Sequence, residues 1–143
     1  MNIRPMTLAD YDAVLALMRG APGVAVRAAD APEAITRYLA RNPDLSLVAE
    51  SDDGLIGCVF CGHDGRRGYL HHVVVAPAWR GQGVGRALVA QALDGLAALG
   101  ILKTHLDVFA DNAPAIAFWA ATGWQRRGDI VRFSFNRSAD ANV

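Results

Sequence analysis

The stretch "WRGQGVGRAL", residues 79–88, constrains this chain more than any other. Glycines stand at 81, 83 and 85, with an arginine at 80 and another at 86. A valine-rich run, "YLHHVVVAP", precedes them, and an apolar run with helical spacing follows. Glycine gives up more backbone freedom on folding than any other residue. A plain strand-to-helix turn needs one glycine, so three of them call for a backbone that something must approach closely. The cluster opens a helix, where the first N–H groups lack helical partners and the dipole favours negative charge. Bare main chain at such a place is a cradle for phosphate. Arg80 and Arg86 add charge that suits a polyanion.

Around this loop the chain reads as alternating elements. "NIRPM" is a short first strand. Thr7 with Asp10 forms a capping box, and Leu8, Tyr11, Val14, Leu15 and Met18 recur at helical spacing up to Gly20. Asp30 and Glu33 signal a second helix start, with Ile35, Tyr38 and Leu39 on one face, ended by "NPD" at 42–44. "LSLVAE", "LIGCVFCG" and "YLHHVVVAP" form a three-stranded antiparallel meander, judged by their short polar connections. A helix from about Val84 to Leu99 carries the apolar stripe Leu88, Val89, Ala92, Leu93, Leu96 and Leu99. "LKTHLDVF" reads as a strand. "DNAPAIAFWAATGW" reads as a short helix capped by Asp111 or Asn112, with Pro114 in its first turn and Gly123 past its end. "WQRRGDIVRFSF" reads as one or two closing strands, and 137–143 as a frayed tail. The expected fold is α/β, a single domain over 1–136 built around a mixed sheet.

Composition limits the function classes. The 143 residues carry 14 basic and 14 acidic side chains, a net charge of zero, which argues against nucleic acid as the main partner. No apolar run has membrane-spanning length, and "MNIRPMTLADYD" has no signal-peptide core; a cytoplasmic protein without a membrane partner is expected. Cys58 and Cys61 form a C-x-x-C pair. On a strand they point to opposite faces, and no second pair completes a zinc site. They read as buried apolar thiols, and no metal is expected.

The phosphate ligand is narrowed by spacing. A dinucleotide fold needs G-x-G-x-x-G after the first strand of a parallel unit. Here the spacing is G-x-G-x-G, after an antiparallel meander, which leaves a dinucleotide-dependent oxidoreductase as the weaker alternative. The Gly-Lys-Ser/Thr of a nucleotide-triphosphate loop is absent. What remains is V-x-V-x-P-x-x-R-G-x-G-x-G, Val73 through Gly85. It resembles the strand-four and acetyl-coenzyme A loop of the GCN5-related N-acetyltransferases. "NAPAIAFWAATGW", 112–124, resembles that family's N-x-x-A-I-x-x-Y-x-x-x-G-F helix. The element order is similar over nearly the whole chain, most of all to small bacterial ribosomal-protein-acetyltransferase-like members.

The resemblance implies a mostly antiparallel sheet with helices on both faces and strands four and five splayed. It implies acetyl-CoA as acetyl donor and a primary amine of a small molecule or peptide as acceptor. The pyrophosphate would lie on the loop, so Arg80, Gly81, Gln82, Gly83, Val84, Gly85 and Arg86 are candidate binding residues. The pantetheine arm would run along the backbone at Val73 and Val75, with Asn112, Phe118 and Trp119 as further contacts. A strand-four N–H, of Val73 or Val74, would stabilise the developing oxyanion.

An ammonium cannot attack a thioester, so a base must take its proton. The family often has a glutamate in this strand; here the titrating groups are His71 and His72, suited to proton transfer near neutral pH. They face opposite ways on a regular strand, and a bulge would spoil that parity. Many family members protonate the leaving thiolate with a tyrosine, but the matching residue is Trp119, whose indole N–H cannot deliver a proton at useful cost. Tyr69 is a candidate acid; otherwise the thiolate leaves unaided. These departures from the family pattern make a silent acyl-CoA-binding module the alternative. Arg126 and Arg127 in the late hairpin would favour a carboxylate-bearing acceptor, and "IVRFSF" offers an alternating edge through which two copies could form a homodimer.

Overall fold

The meander of apolar strands in the middle of the sequence becomes the frame on which the other elements lie. The computed structural model describes residues 1–143. In chain order it contains β1 (Asn2–Pro5), α1 (Tyr11–Arg19), α2 (Pro32–Arg41), β2 (Leu47–Ser51), β3 (Gly54–His63), β4 (Gly68–Val75), α3 (Val84–Ala98), β5 (Thr104–His105) and α4 (Ala113–Ala121). The strands form one sheet in the order β1-β2-β3-β4-β5. The first four pair antiparallel and β5 runs parallel to β4. Two compact units divide the chain. Met1–Asp107 holds the sheet and α1 to α3, and Val108–Val143 holds α4.

Alternation along β3 distributes the core to both faces. Cys58 and Phe60 join Val48, Val74, Met6, Val14, Met18 and Ile35 in one apolar cluster, which places α1 and α2 on that face. Gly57, one residue off that parity, lies against α3. A Cβ built there would sit 3.0 Å from Leu88 Cδ1 and 3.1 Å from Val84 Cγ1. Gly68 serves the same purpose farther along, where a Cβ would come within 2.6 Å of Leu96. The sheet thus has helices on both faces, as the resemblance implied. No helix is long and apolar enough to cross a membrane.

The capping box at α1 has a second use. Asp10 accepts the Thr7 N–H at 2.9 Å and grips the Arg4 guanidinium with both oxygens, at 2.8 and 2.9 Å, tying the first helix to the edge strand. The Arg4 bonds, helped by the Thr7 N–H and opposed by burial, hold the Asp10 carboxyl below the usual carboxylate range. A depressed carboxyl stabilises the fold above its unfolded pKa and loses that contribution as pH falls through the folded value. Asp10→Ala is therefore expected to lower stability by about 2 kcal/mol at neutral pH, since it leaves a charged partner unmatched. The gap between the denaturant midpoints of wild type and variant closes below about pH 4. A gap that stays constant down to pH 2.5 would contradict this.

Four expectations are corrected. Asp30 does not cap α2. Ala31 is the N-cap and Pro32 sits in the first turn, because the Asp30 carboxylate is turned back to the Arg27 N–H and across to β4. Leu99 lies just past the end of α3 and is 58% exposed. "LKTHLDVF" is a strand only at Thr104–His105. "WQRRGDIVRFSF" contains no strand, although its alternation suggested one. Alternation decides which side chains share a face, but a strand exists only where a neighbour takes its backbone hydrogen bonds. Ile130, Val131, Phe133 and Phe135 are exposed there.

Candidate active site

In the first unit, β4 carries a defect. Along its pairing with β3, Phe60 stands opposite His71, but Cys58 stands opposite Val74. Two residues, His72 and Val73, therefore face the single residue Val59. This bulge leaves His72 at φ 48°, in the left-handed region, one of only two non-glycine residues with positive φ. Such a conformation in a residue with a Cβ persists only when its surroundings hold it. Three contacts do so. The His72 carbonyl accepts the Cys58 thiol at 3.7 Å. The ring lies edge-on to Phe60, 5.7 Å between centroids. Nε2 is 2.8 Å from Asp30 Oδ1.

The bulge sits where the sheet opens. β5 pairs with β4 only at Gly68 and Tyr69, so from Leu70 to Val75 the outer edge of β4 has no strand beside it. Tyr69 lies at the closed end, with its ring 6.0 Å from His105. Val75 lies toward the open end, where its carbonyl accepts Arg80 Nε at 3.2 Å. That bond folds the first arginine of the loop back against the strand.

The glycine loop follows. Gly81 and Gly83 have φ of 74° and 84°, and a Cβ at either would meet nothing within 4 Å. Their bareness serves backbone conformation and exposure, unlike that of Gly57 and Gly68. Gly83 is the N-cap of α3, and the first helical bond to form is Ala87 N–H to the Gly83 carbonyl. The main-chain N–H groups from Gly81 through Arg86 have no acceptor in the protein. Gln82 turns its side chain to the Ala78 carbonyl, while Arg86 is exposed beside the loop. Free amides at a helix N-terminus flanked by two guanidinium groups can hold a diphosphate.

The two histidines of β4 differ sharply. His71 is exposed, its ring edge-on to Tyr38 at 6.2 Å. His72 is half-buried against the cluster shared by α1 and α2. Cys58 and Cys61 are buried, free thiols pushed up to about 12 by burial, so neither is a thiolate at neutral pH. His63 accepts the Gly65 N–H in its own turn. The remaining candidates belong to the second unit. Asn112 caps α4, accepting the Ala115 N–H at 3.3 Å. Phe118 and Trp119 are T-stacked at 5.0 Å, with Trp124 edge-on to Trp119 at 5.1 Å. Arg127, read as part of a basic rim, already forms a two-pronged pair with Asp129.

A family model described as "Acetyltransferase (GNAT) family" matches residues 11–124, taking in the bulged strand and the glycine loop. The chain belongs to the GNAT family of acetyltransferases. An acetyltransferase of Pectobacterium atrosepticum is 37% identical over 83% of this chain and 84% of its own length. Among solved structures, the PaiA N-acetyltransferase of Thermoplasma acidophilum in complex with coenzyme A is similar, with a TM-score of 0.76, 20% identity, and 85% of this chain and 87% of that one covered. The ribosomal-protein-S18-alanine N-acetyltransferase of Escherichia coli has a TM-score of 0.71 and 22% identity, covering 85% of this chain and 76% of that one. Those two structures share the fold of this GNAT protein. As a member of this family the chain is an acyltransferase.

Asp30 signalled a helix start, yet its side chain, 7% exposed, reaches a histidine in β4. Forty-two positions separate the two, and no local pattern marks such a pair.

Proposed function

We propose that this protein transfers an acetyl group from acetyl-CoA to a primary amine of a small molecule or peptide by direct attack. The observation that carries the reading is the row of unpartnered amides from Gly81 to Arg86 beside an open strand edge. The loop has the form an anionic diphosphate needs, and Arg80 and Arg86 supply the countercharge. The open edge from Leu70 to Val75 suits an extended arm that bonds to main chain as an added strand does, with Val73 and Val75 as its partners. The coenzyme A complex of the Thermoplasma acidophilum protein supports the same class of co-substrate.

The bound thioester supplies the activated acyl group. The chain supplies three things. Its loop and strand edge fix the thioester against the bulge, which converts a bimolecular encounter into an oriented one. The Val73 N–H is the proposed donor to the carbonyl oxygen as charge develops there. One of the two β4 histidines takes the ammonium proton. Leaving-group protonation needs no dedicated residue, since a thiol with pKa near 8.5 leaves readily as thiolate. Tyr69, its ring tilted against His105 at the closed end of the strand gap, is not assigned that task.

The test pairs two measurements. Acetyl-CoA should bind with a calorimetric signature that weakens with salt. A screen of amino acids, polyamines, aminoglycosides and N-terminal peptides should release free thiol with at least one acceptor class. Tight acetyl-CoA binding with no thiol release from any amine would leave a silent binding module. Binding of a nicotinamide dinucleotide instead would overturn the assignment of the loop.

A further inference from the structure

The Asp30–His72 pair joins the loop before α2 to β4, at 2.8 Å between Oδ1 and Nε2. Its parts are fixed from several directions. Asp30 Oδ2 accepts the Arg27 N–H at 2.9 Å, and the Asp30 carbonyl accepts the Tyr11 hydroxyl at 2.6 Å. Only Oδ1 is left for the histidine. Burial pushes the Asp30 carboxyl up, but the His72 bond, the Arg27 N–H and the nearby charges of His72 and His71 outweigh it and hold it below its ordinary value. It is an anion at neutral pH. An anion accepts, so the neutral His72 ring must carry its proton on Nε2 and present a bare lone pair at Nδ1. Nδ1 makes no hydrogen bond within the protein, and the side chain is 23% exposed. The ring belongs to the bulge at the mouth of the open strand edge.

We propose that Asp30 is a positioning residue that sets the tautomer and orientation of His72, making Nδ1 the proton acceptor for the incoming amine. This inference rests on the transferase reading above and adds the residue that makes one histidine of the two competent. In the step, the substrate ammonium gives a proton to Nδ1, and the resulting imidazolium keeps its Nε2–H on the Asp30 carboxylate. The freed amine lone pair forms the N–C bond at the thioester carbonyl as the C–S bond breaks and sulfur leaves with the bonding pair. The extra proton on the new amide nitrogen passes to the thiolate, and the imidazolium returns its proton to water. His71, exposed and edge-on to Tyr38, is assigned no part in the step.

The experiment uses the full chain, acetyl-CoA and whichever acceptor the thiol-release screen identifies. Asp30→Asn should lower kcat by about 10- to 100-fold, with acetyl-CoA affinity and acceptor KM within about twofold of wild type. His72→Ala should lose at least as much, and the double variant no more than His72→Ala alone, because the two residues act as a unit. Imidazole ¹⁵N shifts should report the Nε2–H form in wild type and a changed tautomer balance in Asp30→Asn, a readout that a merely structural role would not move. Asp30→Glu, which restores a carboxylate, should recover the Nε2–H form and most of the rate even if Asp30→Asn folds poorly. Wild-type kcat in Asp30→Asn, additive losses in the double variant, or an Nδ1–H ring in wild type would each overturn the inference while leaving the transferase reading intact. A wild type that binds acetyl-CoA but releases no thiol would instead remove the transferase reading and this inference with it.

Discussion

Gly83→Val yields a folded protein that has lost its hold on coenzyme A. The wild-type residue sits at φ 84° as the N-cap of α3. A β-branched side chain in that conformation costs on the order of 1–3 kcal/mol of strain. The loop can relieve it by rotating Gly83 out of the left-handed region, and the amides on either side turn with it. Affinity for coenzyme A in a calorimetric titration is expected to fall at least about 100-fold, or ~2.7 kcal/mol. Gly100→Val separates strain from function. Gly100 ends α3 at φ 81°, and its absent Cβ likewise meets nothing within 4 Å. That variant should lose comparable stability and bind normally. If Gly83→Val binds as tightly as Gly100→Val, the amides of residues 81–86 do not hold the diphosphate.

Leu88→Ala is the largest expected loss of stability. Leu88 is fully buried, and its Cδ1 occupies the space that Gly57 leaves open in β3. Truncation removes apolar contact from both α3 and the sheet and leaves a cavity between rigid walls, worth about 3 kcal/mol within the 2–5 observed for such sites. In a chain of this size that corresponds to a melting temperature lower by about 10 °C, with an unchanged denaturant slope, since the surface exposed on unfolding is nearly the same. Coenzyme A at about 100 times its Kd should return roughly 2.7 kcal/mol to wild type and variant alike. A loss below about 1 kcal/mol would mean that α3 collapses onto the sheet and does not rest rigidly on it.

The two cases show why parts of this protein are readable and others are not. The glycine loop announces itself because its requirement is local: positive φ and bare amides need glycine at those positions whatever surrounds them. The capping box at Thr7 and Asp10, the N-cap at Asn112 and the antiparallel meander are legible for the same reason. Each is a bargain between residues a few positions apart. Leu99 was misplaced because helical spacing continues past the point where the helix stops. The "IVRFSF" segment was misread because alternation describes one strand and a sheet needs two. The parity argument for His71 and His72 could not be completed from sequence, since it turns on an extra residue in β4 that only the register against β3 reveals.

The strand–loop–helix unit that carries the family's motif, and the order of elements that leads to it, are legible from the residues alone. These follow from backbone requirements and short-range periodicity, which travel with the chain. Which histidine is oriented, and by what, emerges only in three dimensions: a bulge held by the Cys58 thiol, a ring turned by Asp30, and a strand edge left open where β5 stops at His105. A hydrogen bond depends on distance in space, and residues forty-two positions apart carry no trace of their nearness until the helices have packed on the sheet.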